Sequence, residues 1–324
     1  MKTRLLAVLA SIALAVTAGA TERGQFATTI TLEPELGYAF GNTQYQLTYS
    51  GLDTSTSTYY GVRSKLVFPI DGLLGGARLR LIASPDPRHR LGVAVGASIP
   101  ITEPSGDMTD KDWFREIPGP EFLVGFTKSN PKLSGVLISA EGSYGFVNPG
   151  KATWDVVAGF RYQRIVQDID NYTGWYYGAD SVGGNEPALY YRVTYVSPSL
   201  GLRIVTNSPG RAQFRFEGAF APTHMSDFDD HLLRKKNSHA SGWGIGGLGS
   251  AGVKINLGQR SRGITYLDFW GRIFYTTATM TQTQTFYGDD PGTVDDETGL
   301  TISDIPYSIR TLQFGLNVRL GFTL

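Results

Sequence analysis

The chain contains no cysteine, so neither a disulfide framework nor a thiol nucleophile is available to it. Net charge is also missing, since 29 basic residues balance 29 acidic ones. That balance argues against nucleic acid as a partner, which would call for a basic face. Long apolar runs are absent as well. Beyond residue 20 no stretch approaches the roughly 18 apolar residues that a membrane-spanning helix needs. The single early run, Leu5 to Val16, is preceded by Lys2 and Arg4 and followed by Ala18-Gly19-Ala20. This is the pattern of a secretory signal peptide over residues 1–20, leaving one domain over residues 21–324. The chain is therefore expected to leave the cytoplasm with no helix to anchor it. Glycine and aromatic residues are plentiful, with 40 Gly, 17 Tyr, 17 Phe and 5 Trp. That composition suits a membrane barrel with aromatic girdles, and a secreted β-sandwich equally well.

Alternation separates these two. Leu316, Val318, Leu320, Phe322 and Leu324 share one face, with Asn317, Arg319, Gly321 and Thr323 on the other. Phe214, Phe216, Gly218 and Phe220 likewise stand opposite Gln213, Arg215, Glu217 and Ala219. Apolar-out, polar-in strands of this kind mark an outer-membrane barrel. The fold expected is all-β, a ten-stranded antiparallel transmembrane β-barrel. Its strands start near residues 28, 59, 91, 121, 152, 187, 211, 242, 264 and 308. Tight turns are expected at Pro85-Asp86-Pro87-Arg88, Asn148-Pro149-Gly150, Asn207-Ser208-Pro209-Gly210 and Gln259-Arg260-Ser261-Arg262. Longer polar loops are expected at 42–58, 102–120, 168–186, 227–241 and 287–303. Short turns at one end and long loops at the other is the outer-membrane asymmetry.

Two acidic motifs fall in those long connections: Asp110-Lys111-Asp112-Trp113 and Asp227-Phe228-Asp229-Asp230-His231. Residues two apart on an extended strand point to one face. Odd positions of the strand from Ala212 face the lumen, and continued parity includes Asp227, Asp229 and His231. Even positions of the strand from Leu91 face inward, which includes Asp110 and Asp112 if Pro104 and Gly106 do not break the count. Both motifs should then look into the mouth of the barrel. An imidazole beside a carboxylate is poised for proton transfer near neutral pH. Two adjacent carboxylates resist double ionisation. Taken alone, an acidic pair in a polar loop is ordinarily a solvated pair, or else a pair of calcium ligands.

Together the motifs resemble the omptin family of outer-membrane aspartate/histidine endoproteases. Gly106 to Trp113 is similar to the family's Asp-x-Asp-Trp segment, and Ser226 to His231 to its Ser-Asp-x-Asp-x-His segment. Supporting similarities lie at Gly37 to Gly41, Ser64-x-Leu66-x-Phe68, Thr127-Lys128-Ser129 and Tyr195-x-x-Pro198-x-x-Gly201. The resemblance implies an aspartic-type endopeptidase that uses water as nucleophile, with no covalent intermediate and no metal or organic cofactor. In it Asp229 orients His231, His231 acts as general base, and Asp110 and Asp112 sit across the groove. It also implies that a basic residue next to the scissile bond is held by two acids. One matches Asp227; the other falls on Tyr45, which carries no charge.

The resemblance further implies that lipopolysaccharide is needed for activity. Tyr162, Arg164 and Arg192 are the lipid-facing candidates near the outer rim, where arginine is tolerated and can pair with phosphate. Arg164 matches a family arginine, whereas a second falls on Thr194, two residues from Arg192. Rim arginines that merely snorkel would look the same. The cluster Arg234, Lys235 and Lys236 reads as a solvated loop. The partners implied are extracellular polypeptides and outer-membrane lipid, and a monomer is expected, with the active groove facing outside a Gram-negative cell. The rival reading is a non-enzymatic barrel: a porin, adhesin or structural protein. A lipid hydrolase would need a serine beside His231, and the even parity of Ser226 points it away.

Overall fold

The computed structural model describes residues 27–53, 56–148, 152–177, 179–206, 211–260, 263–291 and 296–323. The expected signal peptide and three of the four expected tight turns lie wholly or partly outside these residues. The fourth turn joins β3 to β4 between Asp86 and His89.

Fourteen antiparallel strands make ten long staves. Five staves are single strands: β1 (Ala27–Asp53), β6 (Phe122–Asn148), β12 (Lys236–Arg260), β13 (Gly263–Phe286) and β14 (Thr301–Thr323). Two more are β7 (Ala152–Tyr176) and β9 (Leu189–Thr206), with the short β8 (Ala179–Gly184) folded against β7 between them. The remaining three are interrupted. They are β2 (Thr58–Pro69) with β3 (Gly72–Asp86), β4 (His89–Pro100) with β5 (Met108–Ile117), and β10 (Ala212–Phe220) with β11 (Thr223–His231). Each stave pairs with its sequence neighbours, and β14 pairs back to β1 from Thr31↔Thr323 to Leu47↔Tyr307. The ring of hydrogen bonds therefore closes, leaving no open edge. No helix is long and apolar enough to cross a membrane, a statement that says nothing of strands.

Exposed apolar side chains form a belt around one half of the barrel. Leu36, Phe40, Leu91, Val93, Trp154, Phe160, Leu200, Phe216, Ile273 and Leu316 all face outward. Staves such as β6, with 27 residues, far exceed the roughly 9–11 needed to cross lipid. The surplus stands above the belt at the end away from the β3–β4 turn. Here four of the five connections expected as loops are mostly strand. β1 runs on to Asp53, β5 occupies 108–117, β7 reaches Tyr176, and β11 and β12 leave only residues 232–235 between them. Their outer faces are polar, which reads as loop. Their inner faces carry Tyr45, Leu66, Phe68, Met108, Tyr191, Met225, Tyr307 and Ile309, which pack into one apolar core. Phe68 and Tyr191 stack at 3.9 Å. Burial on one face is enough to hold these segments in the ladder.

At belt level the interior is instead a network of ion pairs. Arg78 pairs with Glu141 at 2.8 Å, Arg90 with Asp155 at 2.7 Å, and Arg215 with Asp268 at 3.3 Å. Arg203 reaches Glu141 and Glu217, and Arg319 reaches Glu35 at 2.7 Å. Side chains fill the lumen of this narrow barrel.

The two levels meet at a break opposite Gly41. Its φ of 134° is one that L side chains rarely adopt, and a Cβ would lie 2.1 Å from the Leu312 carbonyl oxygen. The Ile70 amide donates to the Gly41 carbonyl at 3.1 Å, where β2 gives way to β3. Gly41→Ala is expected to destabilise the fold by ~1–3 kcal/mol. Denaturant unfolding of the detergent-solubilised protein checks this, and an unchanged midpoint would show the strain to be absent.

Candidate active site

β5 is aimed by the interruption that precedes it. The Asp71 carboxylate accepts the backbone amides of Ser105 at 2.7 Å and Gly106 at 3.1 Å, and the Ser105 hydroxyl as well. This ties residues 101–107 to the β2–β3 break and delivers Met108, buried, to the inner face. Asp110 and Asp112 follow on the same face. They pair with Leu66 and Ser64 of β2, and the Ser64 hydroxyl donates to Asp110 Oδ1 at 3.5 Å. Lys111 and Trp113 point outward, against Phe126 and under Arg63 respectively. The even-in parity thus survives Pro104 and Gly106.

On the far side of the ring, β11 alternates without a slip. Thr223, Met225, Asp227 and Asp229 are buried, whereas His224, Ser226 and Phe228 are not. Ser226 lies on the outward face, away from His231. His231 Nε2 stands 3.2 Å from Asp229 Oδ2. The same oxygen accepts the phenol of Tyr45, which reaches across the lumen from β1. Tyr45, matched to a substrate-holding acid, is 1% exposed and has its hydroxyl committed to Asp229. Asp229 Oδ1 is buried without a partner, as are the hydroxyls of Tyr191 and Ser238 directly beside it on β9 and β12. The couple is thus braced on one oxygen and open on the other.

The two sides of the groove act on each other electrostatically. Burial pushes the Asp110 carboxyl well above the usual carboxylate range, and the charges of Asp112 and then Asp229 push it further. Lys236 and Arg234 oppose the shift. Asp110 therefore ionises less readily than a free carboxyl, as expected where two carboxyls lie side by side. Burial also drives the Tyr45 phenol well above its ordinary value, with Asp229 adding to it, so the phenol is a donor at all physiological pH.

Asp227 is the most enclosed acid of the motif, 2% exposed. Tyr307 donates to its Oδ2, and the Ala240 amide to its Oδ1 at 3.0 Å. Burial nonetheless pushes its carboxyl up to about 7. His239, to which no role attaches in sequence, makes a 2.6 Å contact from Nδ1 to the Asp227 carbonyl oxygen.

The basic cluster is not a solvated loop. Lys236 opens β12 directly opposite His231, faces the same side, and is 7% exposed. Burial lowers its ammonium to about 8, with Arg234 adding to the effect. Arg234 pairs with Asp290 at 2.8 Å, and only Lys235 is left to solvent on both counts. Parity carried back along β12 from Ala240 through Ser238 would have reached Lys236. Starting that strand at residue 242 hid it. Tyr307 was missed for the same reason, because the last strand begins at Thr301 and not near 308.

Tyr162, Arg164 and Arg192 lie together on the outer face, one step above the exposed Phe160. Tyr162 pairs with Val196, Arg164 with Thr194, and Val166 with Arg192. Arg164 is exposed, and Arg192 lies over the Phe228 ring at 5.2 Å.

No family model and no curated protein matches the chain. Among solved structures, the outer membrane protease OmpT from Escherichia coli matches with a TM-score of 0.67 at 14% identity, over 94% of this chain and 100% of that one. An outer-membrane channel from Pseudomonas putida F1 gives 0.24 at 12% identity, over 94% and 98%. A Pseudomonas aeruginosa FadL homologue gives 0.22 at 9% identity, over 90% of each. The first likeness shows the fold, an outer-membrane antiparallel β-barrel. The other two are too loose to bear on it.

Proposed function

We propose that the protein is an omptin-like endopeptidase of the outer membrane, with its groove open to the outside, hydrolysing extracellular polypeptides. One observation carries this reading. A histidine–aspartate couple and an aspartate pair, from different sides of a closed barrel, come near enough that Asp229 acts electrostatically on Asp110. In this reading Asp229 keeps the imidazole oriented and stabilises its charged form, and His231 takes a proton from water. The water attacks the peptide carbonyl, and the tetrahedral intermediate collapses as His231 passes the proton to the amine nitrogen, the C–N bond breaks and the amine leaves. Asp110, whose ionised form is disfavoured, supplies a hydrogen bond to the developing oxyanion, and Asp112 helps to hold the water. Every step uses side chains of this chain.

The filled lumen disfavours a channel, since Arg203, Arg215 and Arg319 lie across it in ion pairs. Lipopolysaccharide is proposed as the lipid partner, its phosphates meeting Arg164 and Arg192 beside Tyr162 at the rim. The test is cleavage of a quenched peptide library by refolded protein, with and without lipopolysaccharide, beside His231→Ala. Cleavage that needs His231 supports the endopeptidase. Folded barrel that cleaves nothing in either lipid condition would move the chain to a binding or structural role. An activity that lipopolysaccharide raises should lose that response, by tenfold or more in lipid concentration, on replacing both Arg164 and Arg192 by Ala (~1.4 kcal/mol per decade).

A further inference from the structure

Below the groove, at belt level, the barrel encloses a cavity of about 150 Å³. That is ample for several waters or for one anion with part of its shell. Arg161 of β7 and Arg272 of β13 both line it. Neither is in ion-pair contact with a carboxylate among the described residues, unlike the arginines around them. Glu35, Glu141 and Glu217 line the same cavity, but each is held by another arginine: Glu35 by Arg319 at 2.7 Å, Glu141 by Arg78 and Arg203, and Glu217 by Arg203; of these Glu35 also acts electrostatically on Arg272. Arg161 is buried, and its Nη2 donates to Gln163 at 2.7 Å and Gln313 at 2.9 Å, both neutral. Its guanidinium lies over Phe274 at 4.5 Å, and its Nε has no partner. Arg272 lies 5.4 Å from the Trp270 ring.

A second observation points the same way. The unpartnered buried atoms at this level are donors: Arg161 Nε, Arg215 Nε, Trp270 Nε1, Asn317 Nδ2 and Arg319 Nη1. The one acceptor among them, Glu33 Oε2, stands 3.6 Å from Arg319 Nη1. In the groove above, by contrast, the unpartnered atoms are the Asp229 and Gln167 oxygens and two hydroxyls. Two like charges in a shared low-dielectric cavity, beside the unpartnered Nε atoms of Arg161 and Arg215 and the Trp270 Nε1, are unfavourable unless something negative lies between them.

We propose that this cavity binds a small inorganic anion between Arg161 and Arg272. Guanidinium forks match a phosphate-type oxyanion best, and a halide would use the same donors singly. The site is independent of the peptidase reading and uses none of its residues.

The test uses the full folded protein in detergent micelles. Sodium phosphate and, separately, sodium bromide are titrated while ionic strength is held with sodium gluconate, whose anion is bulkier. Binding should raise the thermal unfolding midpoint at fixed scan rate by a few degrees, with saturation. The rise should vanish in Arg161→Gln and in Arg272→Gln. In gluconate alone each variant should be at least as stable as the parent, because it has lost a buried unpaired charge. A response to phosphate only would assign an oxyanion site, and one to bromide only a halide site. Crystals soaked in bromide give a readout that needs no variant: an anomalous peak between the two guanidinium groups. Parent midpoints that ignore anion identity in both titrations, or a rise that both variants retain, would overturn the proposal in favour of solvation by water alone.

Discussion

His231→Ala is expected to lower kcat for peptide hydrolysis by ~10²–10⁴-fold, the usual worth of a positioned general base. The argument is geometric before it is electrostatic. Asp229 Oδ2 lies 3.2 Å from His231 Nε2 and also holds the Tyr45 phenol, so the imidazole is fixed from behind. Asp229→Asn keeps the shape and removes the charge that stabilises the imidazolium, so it should lose nearly as much. Tyr45→Phe removes only a brace. It should cost about tenfold or less, because Asp229 then carries one hydrogen bond fewer but still holds His231. Asp110→Asn tests the other wall. Burial, Asp112 and Asp229 all disfavour the ionised form of Asp110. An amide there keeps a donor, so this variant should retain more activity than Asp112→Asn. Equal activity of His231→Ala and the parent, with the barrel intact by heat-modifiability on gels, would remove the histidine from the reaction.

Much of this arrangement was legible because a barrel strand has a strict period of two. Parity alone assigned Asp110, Asp112, Asp227 and Asp229 to the interior; Asp227 and Asp229 are buried there, and Asp110 and Asp112 are half-buried on the face of the buried Met108. What parity does not reveal is where a stave stops. The segments above the belt have polar outer faces, as at Thr48 and Ser50 of β1 or Asp230 and Asn237 of the β11–β12 hairpin, so they read as loops. Their inward residues, among them Tyr45 and Tyr307, were then left out of the count. Nor does a linear pattern show cross-lumen pairs. Tyr45 and Asp229 are 184 residues apart, Tyr307 and Asp227 are 80 apart, and both contacts exist only because the ring closes. The paired arginine Arg203 and the unpaired Arg161 look alike in sequence, each alternating with apolar neighbours. Only the closed lumen distinguishes them.

Asp227→Asn is expected to stabilise the protein at pH 8 by up to ~4 kcal/mol and to do almost nothing at pH 4. The sign follows from burial. The folded-state carboxyl of Asp227 is raised to about 7 from an ordinary value of 3.8. A raised carboxyl contributes stability that is fully present below the unfolded value and is lost as pH climbs through the folded one. The parent should therefore weaken between about pH 4 and 7 relative to the variant and run parallel to it above. Asparagine, like the protonated acid, keeps one oxygen to accept the Ala240 amide and turns a donor toward the Tyr307 hydroxyl, which can rotate to accept it, so the comparison isolates the charge. Denaturant unfolding at pH 5 and pH 8 measures it, and a difference independent of pH would refute it. The same titration bears on substrate choice if Asp227 is the acid that meets a basic side chain. About half the molecules carry a neutral Asp227 at pH 7, and the second acid expected beside it is Tyr45, uncharged and committed to Asp229. Preference for Lys or Arg should thus be weak near neutrality. The ratio of kcat/KM for an arginine substrate over a neutral one should rise by up to roughly tenfold from pH 6 to pH 8, following the ionised fraction of Asp227. In Asp227→Asn that ratio should be flat. A strong basic preference already present at pH 6 would mean that the cation meets some other acid in the groove, with Asp112 the nearest alternative on the opposite wall.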